Sequence, residues 1–176
     1  MGLRGVQLGL RAWEFLWSLL VMALVGNMIA DAFSGNPATV NYALYAGVFS
    51  MFTLFYLIPA SYNIDWAIHP IIMIVLDALN AIFFFTAGIA LAARLHAHSC
   101  NNQAYLRTNE ITNGAHNMGK RCREAQASTA FLWFAWAGYM ASTVVSVFMS
   151  RSAGGPSRSR STSRRGAGAR PNMTQV

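Results

Sequence analysis

One acidic residue stands where water is scarce. Asp77 follows an uninterrupted apolar run beginning at Ile71, which puts it about 9 Å along a helix from the run's start. Ionisable residues at that depth are costly and turn toward a bundle interior, so they are functional hypotheses by default. Asn80 follows at i+3 on the same helical face, where its amide could donate to the Asp77 carboxylate. Two readings stay open for this intramembrane pair: a buried polar clamp between helices, or a proton-linked or headgroup-binding contact.

The second constellation is Cys100 and Cys122, both lying between apolar segments. A disulfide across such a loop would stabilise it by about 3 kcal/mol on the chain-entropy estimate. The rival is a zinc site built from His96, His98, Cys100 and Cys122. Its ligand types fit, but the spacing matches no strong zinc pattern, and the bridge is favoured. No P-loop, H-E-x-x-H, dinucleotide fingerprint or Ser/His/Asp arrangement occurs. The chain is therefore expected to be no enzyme and to need no metal or cofactor.

The third constellation is a basic tail. Arg151, Arg158, Arg160, Arg164, Arg165 and Arg170 alternate with Ser157, Ser159, Ser161, Thr162 and Ser163. Arginines beside a membrane attract anionic lipids, each worth about 1 kcal/mol near the surface, and phosphorylation of the hydroxyls would reverse that charge. A plain solvated tail is the simpler alternative. Gly, Ser and Arg without apolar periodicity predict disorder over 151–176.

These groups need elements to hold them. Of the 176 residues, 55% are hydrophobic and 11% charged, well below the about 25% charged content of ordinary soluble domains. Four apolar stretches, about 13–33, 42–62, 67–95 and 125–149, each reach the roughly 20 residues that a spanning helix needs. The second carries no charge on any face, which excludes a soluble amphipathic bundle. The fold class is thus all-α: an integral membrane four-helix bundle over 1–150, with a long loop over 96–124. Arg4, Arg11 and Ala30-Asp31-Ala32 imitate a secretory signal, but the apolar run exceeds the usual signal length and is kept as the first helix.

Small residues recur at helix-packing spacing: Gly26 with Ala30, Gly88 with Ala92, and Gly138 with Ser142 and Ser146. Trp13, Trp17 and Trp66 suit a membrane interface, and Arg11, Phe15 and Leu19 meet the loose pattern proposed for sterol contact. Eight Lys and Arg residues lie on the side of the termini and five near the long loop. The positive-inside rule then sets both termini in the cytosol and exposes the cysteines to an oxidising space. The net charge of +7 is read as membrane-directed, with no nucleic-acid partner.

The third stretch and its exit, LDALNAIFFFTAGIALAARLHAHSCNN, followed by RCREAQASTAFLWF, resemble the fungal non-classical export protein 2 family of MARVEL-domain tetraspans. That resemblance implies a multi-pass plasma-membrane protein of sterol- and sphingolipid-rich microdomains, associated with eisosome proteins. It also implies links to sphingolipid-dependent signalling and unconventional export, and the chain is expected to sense lipid and to associate as lateral clusters or homo-oligomers. Asp77, Asn80, Cys100 and Cys122 fall inside the shared motif as family landmarks. The rival reading is a small channel or transporter using Asp77.

Overall fold

The computed structural model describes residues 2–63, 69–96 and 98–153. Its elements are α1 (Leu3–Ala30), α2 (Ala38–Tyr62), α3 (Pro70–Leu95), the short α4 (Gln103–Thr108) and α5 (Met118–Ala153). The four long helices α1, α2, α3 and α5 are each long and apolar enough to cross a membrane. They run up and down in turn and close into a ring in which α1 and α3 each pack between α2 and α5.

The inner face of each helix is a seven-residue repeat. In α1 the buried residues are Gln7, Arg11, Glu14, Ser18, Val21, Val25 and Met28, in alternating steps of four and three. In α5 the stripe passes through Ala125, Ser128, Leu132, Ala135, Tyr139, Ser142 and Ser146. This spacing keeps one seam turned to the neighbours along a left-handed bundle. The outer faces carry Phe52, Phe55, Ile82, Val144 and Phe148, all exposed, as lipid-facing surfaces require.

Along the axis, the interior divides in two. At the end that carries both termini it is polar: Gln7, Arg11, Glu14 and Ser18 on α1, Ser50, Thr53 and Ser61 on α2, Asp77 and Asn80 on α3, and Ser142 and Ser146 on α5. Toward the loop end it is mostly apolar, built from Val21, Val25, Met28, Phe84, Ala87, Leu91, Leu132 and Ala135, with the hydroxyl of Ser128 among them.

The helix ends differ from those expected. α1 begins at Leu3 rather than near Trp13, so Arg11 lies inside the bundle and not in a cytosolic end. α5 begins at Met118 rather than near Ala125, and its 36 residues measure about 54 Å, longer than the roughly 30 Å hydrocarbon core. The charges of Lys120, Arg121 and Arg123 hid that start from a hydropathy reading, because charge marks the membrane edge and not the helix edge.

The 96–117 connection caps the loop end. Ala32 and Ala115 form an isolated antiparallel bridge, and Phe33 N–H donates to the Gly114 carbonyl at 3.0 Å. Gly114 has φ of +82°, and a Cβ there would lie 3.0 Å from the Ser34 Cβ, so this crossing requires glycine. Lys120 Nζ meets Asp31 Oδ2 at 2.9 Å and holds that carboxyl below the usual carboxylate range. Arg121 is buried here too, its Nε donating to the Ile111 carbonyl and its Nη2 to Asn36 Oδ1.

Candidate functional site

The polar half of the interior centres on Arg11. Its Nη1 and Nη2 donate to Asp77 Oδ1 and Oδ2 at 2.5 and 2.9 Å, a two-pronged pairing across the diagonal from α1 to α3. Nη1 also reaches Glu14 Oε2 at 2.8 Å, one turn along α1. Nε donates to Ser61 Oγ on α2 at 3.1 Å. From α5, Ser146 Oγ donates to Asp77 Oδ2 at 3.4 Å and accepts from Gln7 Nε2 at 3.3 Å. All four spanning helices therefore meet in one hydrogen-bonded cluster. Arg11 is 1% exposed, and Glu14 and Asp77 are 0% exposed.

A second diagonal is crossed one layer deeper. Ser50 on α2 bonds Tyr139 OH on α5 at 2.5 Å and Ser18 Oγ on α1 at 2.6 Å, while the Tyr139 ring stacks on Phe84. Below that ring the next layers, Phe84, Leu132, Ala135, Val21 and Val25, are apolar, so Tyr139 and Phe84 mark the floor of the polar half.

Asp77 and Asn80 do not bond each other as expected. Asn80 Nδ2 donates to Thr53 Oγ1 at 2.8 Å and to its own helix at the Leu76 carbonyl at 2.9 Å, while Asp77 turns to Arg11. Sharing a helical face put the two side chains within reach. Arg11 prevails because a buried carboxylate gains more from a cation than from a neutral amide. The sterol pattern on α1 is broken for the same reason: Arg11 points inward, while Phe15 and Leu19 face outward.

Of the small-residue rows, the Gly138 row lies at a tight seam. A Cβ at Gly138 would stand 2.7 Å from Trp13 Cδ1 and 3.3 Å from Glu14 Cγ, so the side chains of α1 leave room only for glycine on α5 beside the cluster. Gly26 has nothing within 4 Å, and Gly88 makes ordinary contact with Trp133. Trp13 donates its indole N–H to the Phe134 carbonyl, and Trp133 and Trp136 pack on Phe85.

At the opposite end, Cys100 and Cys122 form a disulfide, with Cα atoms 5.7 Å apart. Cys122 sits within α5, so the bridge fastens the exit of α3 to a spanning helix. It also takes both thiols away from the alternative zinc set. His96 and His98 are left with ring centroids 6.4 Å apart, and Gln126 donates to the His98 carbonyl. Arg151 is exposed on the last turn of α5. The other tail arginines, the Ser157–Ser163 hydroxyls and Trp66 lie outside the described residues.

Gln7, Arg11, Glu14 and Ser18 were missed as interior residues, although their spacing continues the apolar stripe of α1 without a break. Comparison with known proteins matches this architecture. The MARVEL model, described as a membrane-associating domain, matches residues 3–145. The chain belongs to the MARVEL family. This MARVEL chain is 39% identical over 140 residues to Non-classical export protein 2 of Saccharomyces cerevisiae, covering 79% of this chain and 78% of that protein. It is 37% identical over 169 residues to Non-classical export protein 102 of Candida albicans, covering 95% of each. The Schizosaccharomyces pombe Non-classical export protein 2 homolog is 29% identical over 142 residues, or 80% of this chain and 76% of that one. No solved structure is significantly similar. The MARVEL bundle is a multi-pass membrane protein, and its matched segment takes in Arg11, Glu14, Asp77 and the disulfide and ends just before Ser146.

Proposed function

We propose that this MARVEL protein is a non-enzymatic organiser of sterol- and sphingolipid-rich microdomains of the plasma membrane, working as lateral clusters beside eisosome proteins. The observation that carries the reading is the two-part interior. Arg11 is engaged by both Asp77 and Glu14, and Val21, Val25, Phe84, Leu91 and Leu132 close the bundle toward the loop. A conduit needs polar groups from face to face, and this interior offers a lock with a floor. The apolar, aromatic outer faces are left as the surface on which lipids and further copies would act. The names of the relatives support a role in unconventional export, and the family resemblance supports the eisosome association.

In this reading the termini face the cytosol. Arg11 and Arg121 are buried, which removes one basic residue from each side of the count and leaves the excess with the termini. The Cys100–Cys122 bridge supports a loop in the oxidising space. The tail from Arg151 to Arg170 then faces the anionic cytosolic leaflet, and phosphorylation of Ser157, Ser159, Ser161, Thr162 or Ser163 would release it.

Deleting residues 151–176 tests the tail. In phase-separated giant vesicles whose anionic lipid is confined to one phase, the full chain is expected to enrich in that phase by at least tenfold over the truncated chain, since two of the six arginines held near the surface, at about 1 kcal/mol each, already supply that ratio. Membrane insertion is expected to be unchanged. Equal partitioning of the two chains would remove the tail from the mechanism.

A further inference from the structure

The polar half holds two carboxyl groups and one guanidinium. Asp77 takes two guanidinium nitrogens with its two oxygens, whereas Glu14 is bonded through Oε2 alone. Glu14 Oε1 is buried without a hydrogen-bond partner, and so is the hydroxyl of Ser142 beside it. Glu14 is 0% exposed, with its Cγ against the α5 backbone at Gly138. With both carboxyls ionised, the cluster would carry a net negative charge in a low-dielectric site. Isolated buried charge of that kind is avoided by neutralisation.

We propose that Glu14 is a proton-binding site: it holds one proton on the unpartnered Oε1 and exchanges it only with the face on which α1 begins and α5 ends. The guanidinium and the ionised Asp77 then form a neutral pair, and Glu14 is a neutral acid packed against Gly138. On release, the O–H bond of Glu14 breaks, the proton passes to water at the terminal face, and the carboxylate competes with Asp77 for Arg11. Gln7 and Ser146 lie between Glu14 and that face, and the Gln7 Oε1 atom is itself buried without a partner. In the other direction the hydroxyl layer of Ser18, Ser50 and Tyr139 ends on Phe84 and the apolar floor. The charged groups acting on Glu14 are Arg11 on its own helix and Asp77 on α3. α5 presents Tyr139, Ser142 and Ser146 to the cluster, and α2 presents the hydroxyls of Ser50 and Ser61. Such a site reads the acidity of the terminal face and reports it through the α1–α5 seam. It does not depend on the organiser reading.

Infrared spectroscopy of the full chain in lipid tests the proposal. At neutral pH, the carbonyl stretch of one protonated carboxylic acid is expected. It should shift when glutamate side chains are labelled with carbon-13 at the carboxyl and stay in place when aspartate is labelled. It should vanish in Glu14→Gln and persist in Glu110→Gln and Glu124→Gln. Raising the pH on the terminal face should remove it reversibly. Should Glu14→Gln fail to insert, the two labels and the other two variants still decide, because they leave Glu14 intact. Absence of the band at neutral pH, a band that moves only with aspartate label, or one lost in Glu110→Gln or Glu124→Gln would overturn the assignment.

Discussion

Arg11→Ala is expected to cost the folded bundle about 3–5 kcal/mol, the usual loss when one member of a buried ion pair is removed. The variant leaves Asp77 without its cation and Ser61 without its donor, and both groups are buried. Thermal unfolding in lipid nanodiscs should show a large fall in midpoint, and the amount of protein in the membrane should drop with it. The companion result matters more than the loss itself. Replacing both partners, as in Arg11→Met with Asp77→Leu, is expected to recover most of the stability, since an apolar pair of similar volume is often as stable as a buried ion pair. A strong positive coupling between the two positions is the signature. Independent, additive losses would mean that the pair does not hold α1 to α3.

Breaking the bridge at the other end is the next largest effect. Cys100→Ser or Cys122→Ser removes a cross-link spanning 22 positions, worth about 3 kcal/mol in the chain-entropy estimate. The effect should be local. Amide hydrogen exchange is expected to quicken over residues 98–117, while the amides around Arg11 and Asp77 keep their protection, because the apolar layer separates the two ends. A reducing agent applied to the natural chain should reproduce the pattern. Non-reducing mass spectrometry should recover the Cys100 and Cys122 peptides as a linked pair; two free thiols would contradict the fold at this end.

How much of this could be read in the sequence depended on which signal each residue carried. Apolar length alone located the four spans, because α2 and α3 have little charge to interrupt them. The Cys100–Cys122 pairing was legible from type and position. The cluster was not, and the reason is physical. Arg11 lowers the local hydropathy, so a length criterion starts the span beyond it at about Trp13, and Glu14, although inside that span, gives no sign in hydropathy of which way it faces. Their three-and-four spacing with Ser18, Val21 and Val25 nevertheless continues the same stripe, and periodicity would have kept them inside. Asn80 illustrates the opposite limit. A shared helical face brings Asp77 and Asn80 close in sequence terms, but it cannot reveal that a guanidinium from α1 arrives at the same level. Position within one helix is written locally, whereas pairing between helices appears only once they are packed.

The same packing separates a membrane organiser from a conduit. Proton and potassium flux through the reconstituted natural chain tests that distinction most directly, in sealed vesicles with an imposed gradient. Flux no greater than that of protein-free vesicles is expected, because Phe84, Leu91, Val25 and Leu132 close the path beyond Tyr139. A flux above that baseline which disappears in Asp77→Asn would show a conduit through the cluster and contradict the closed interior.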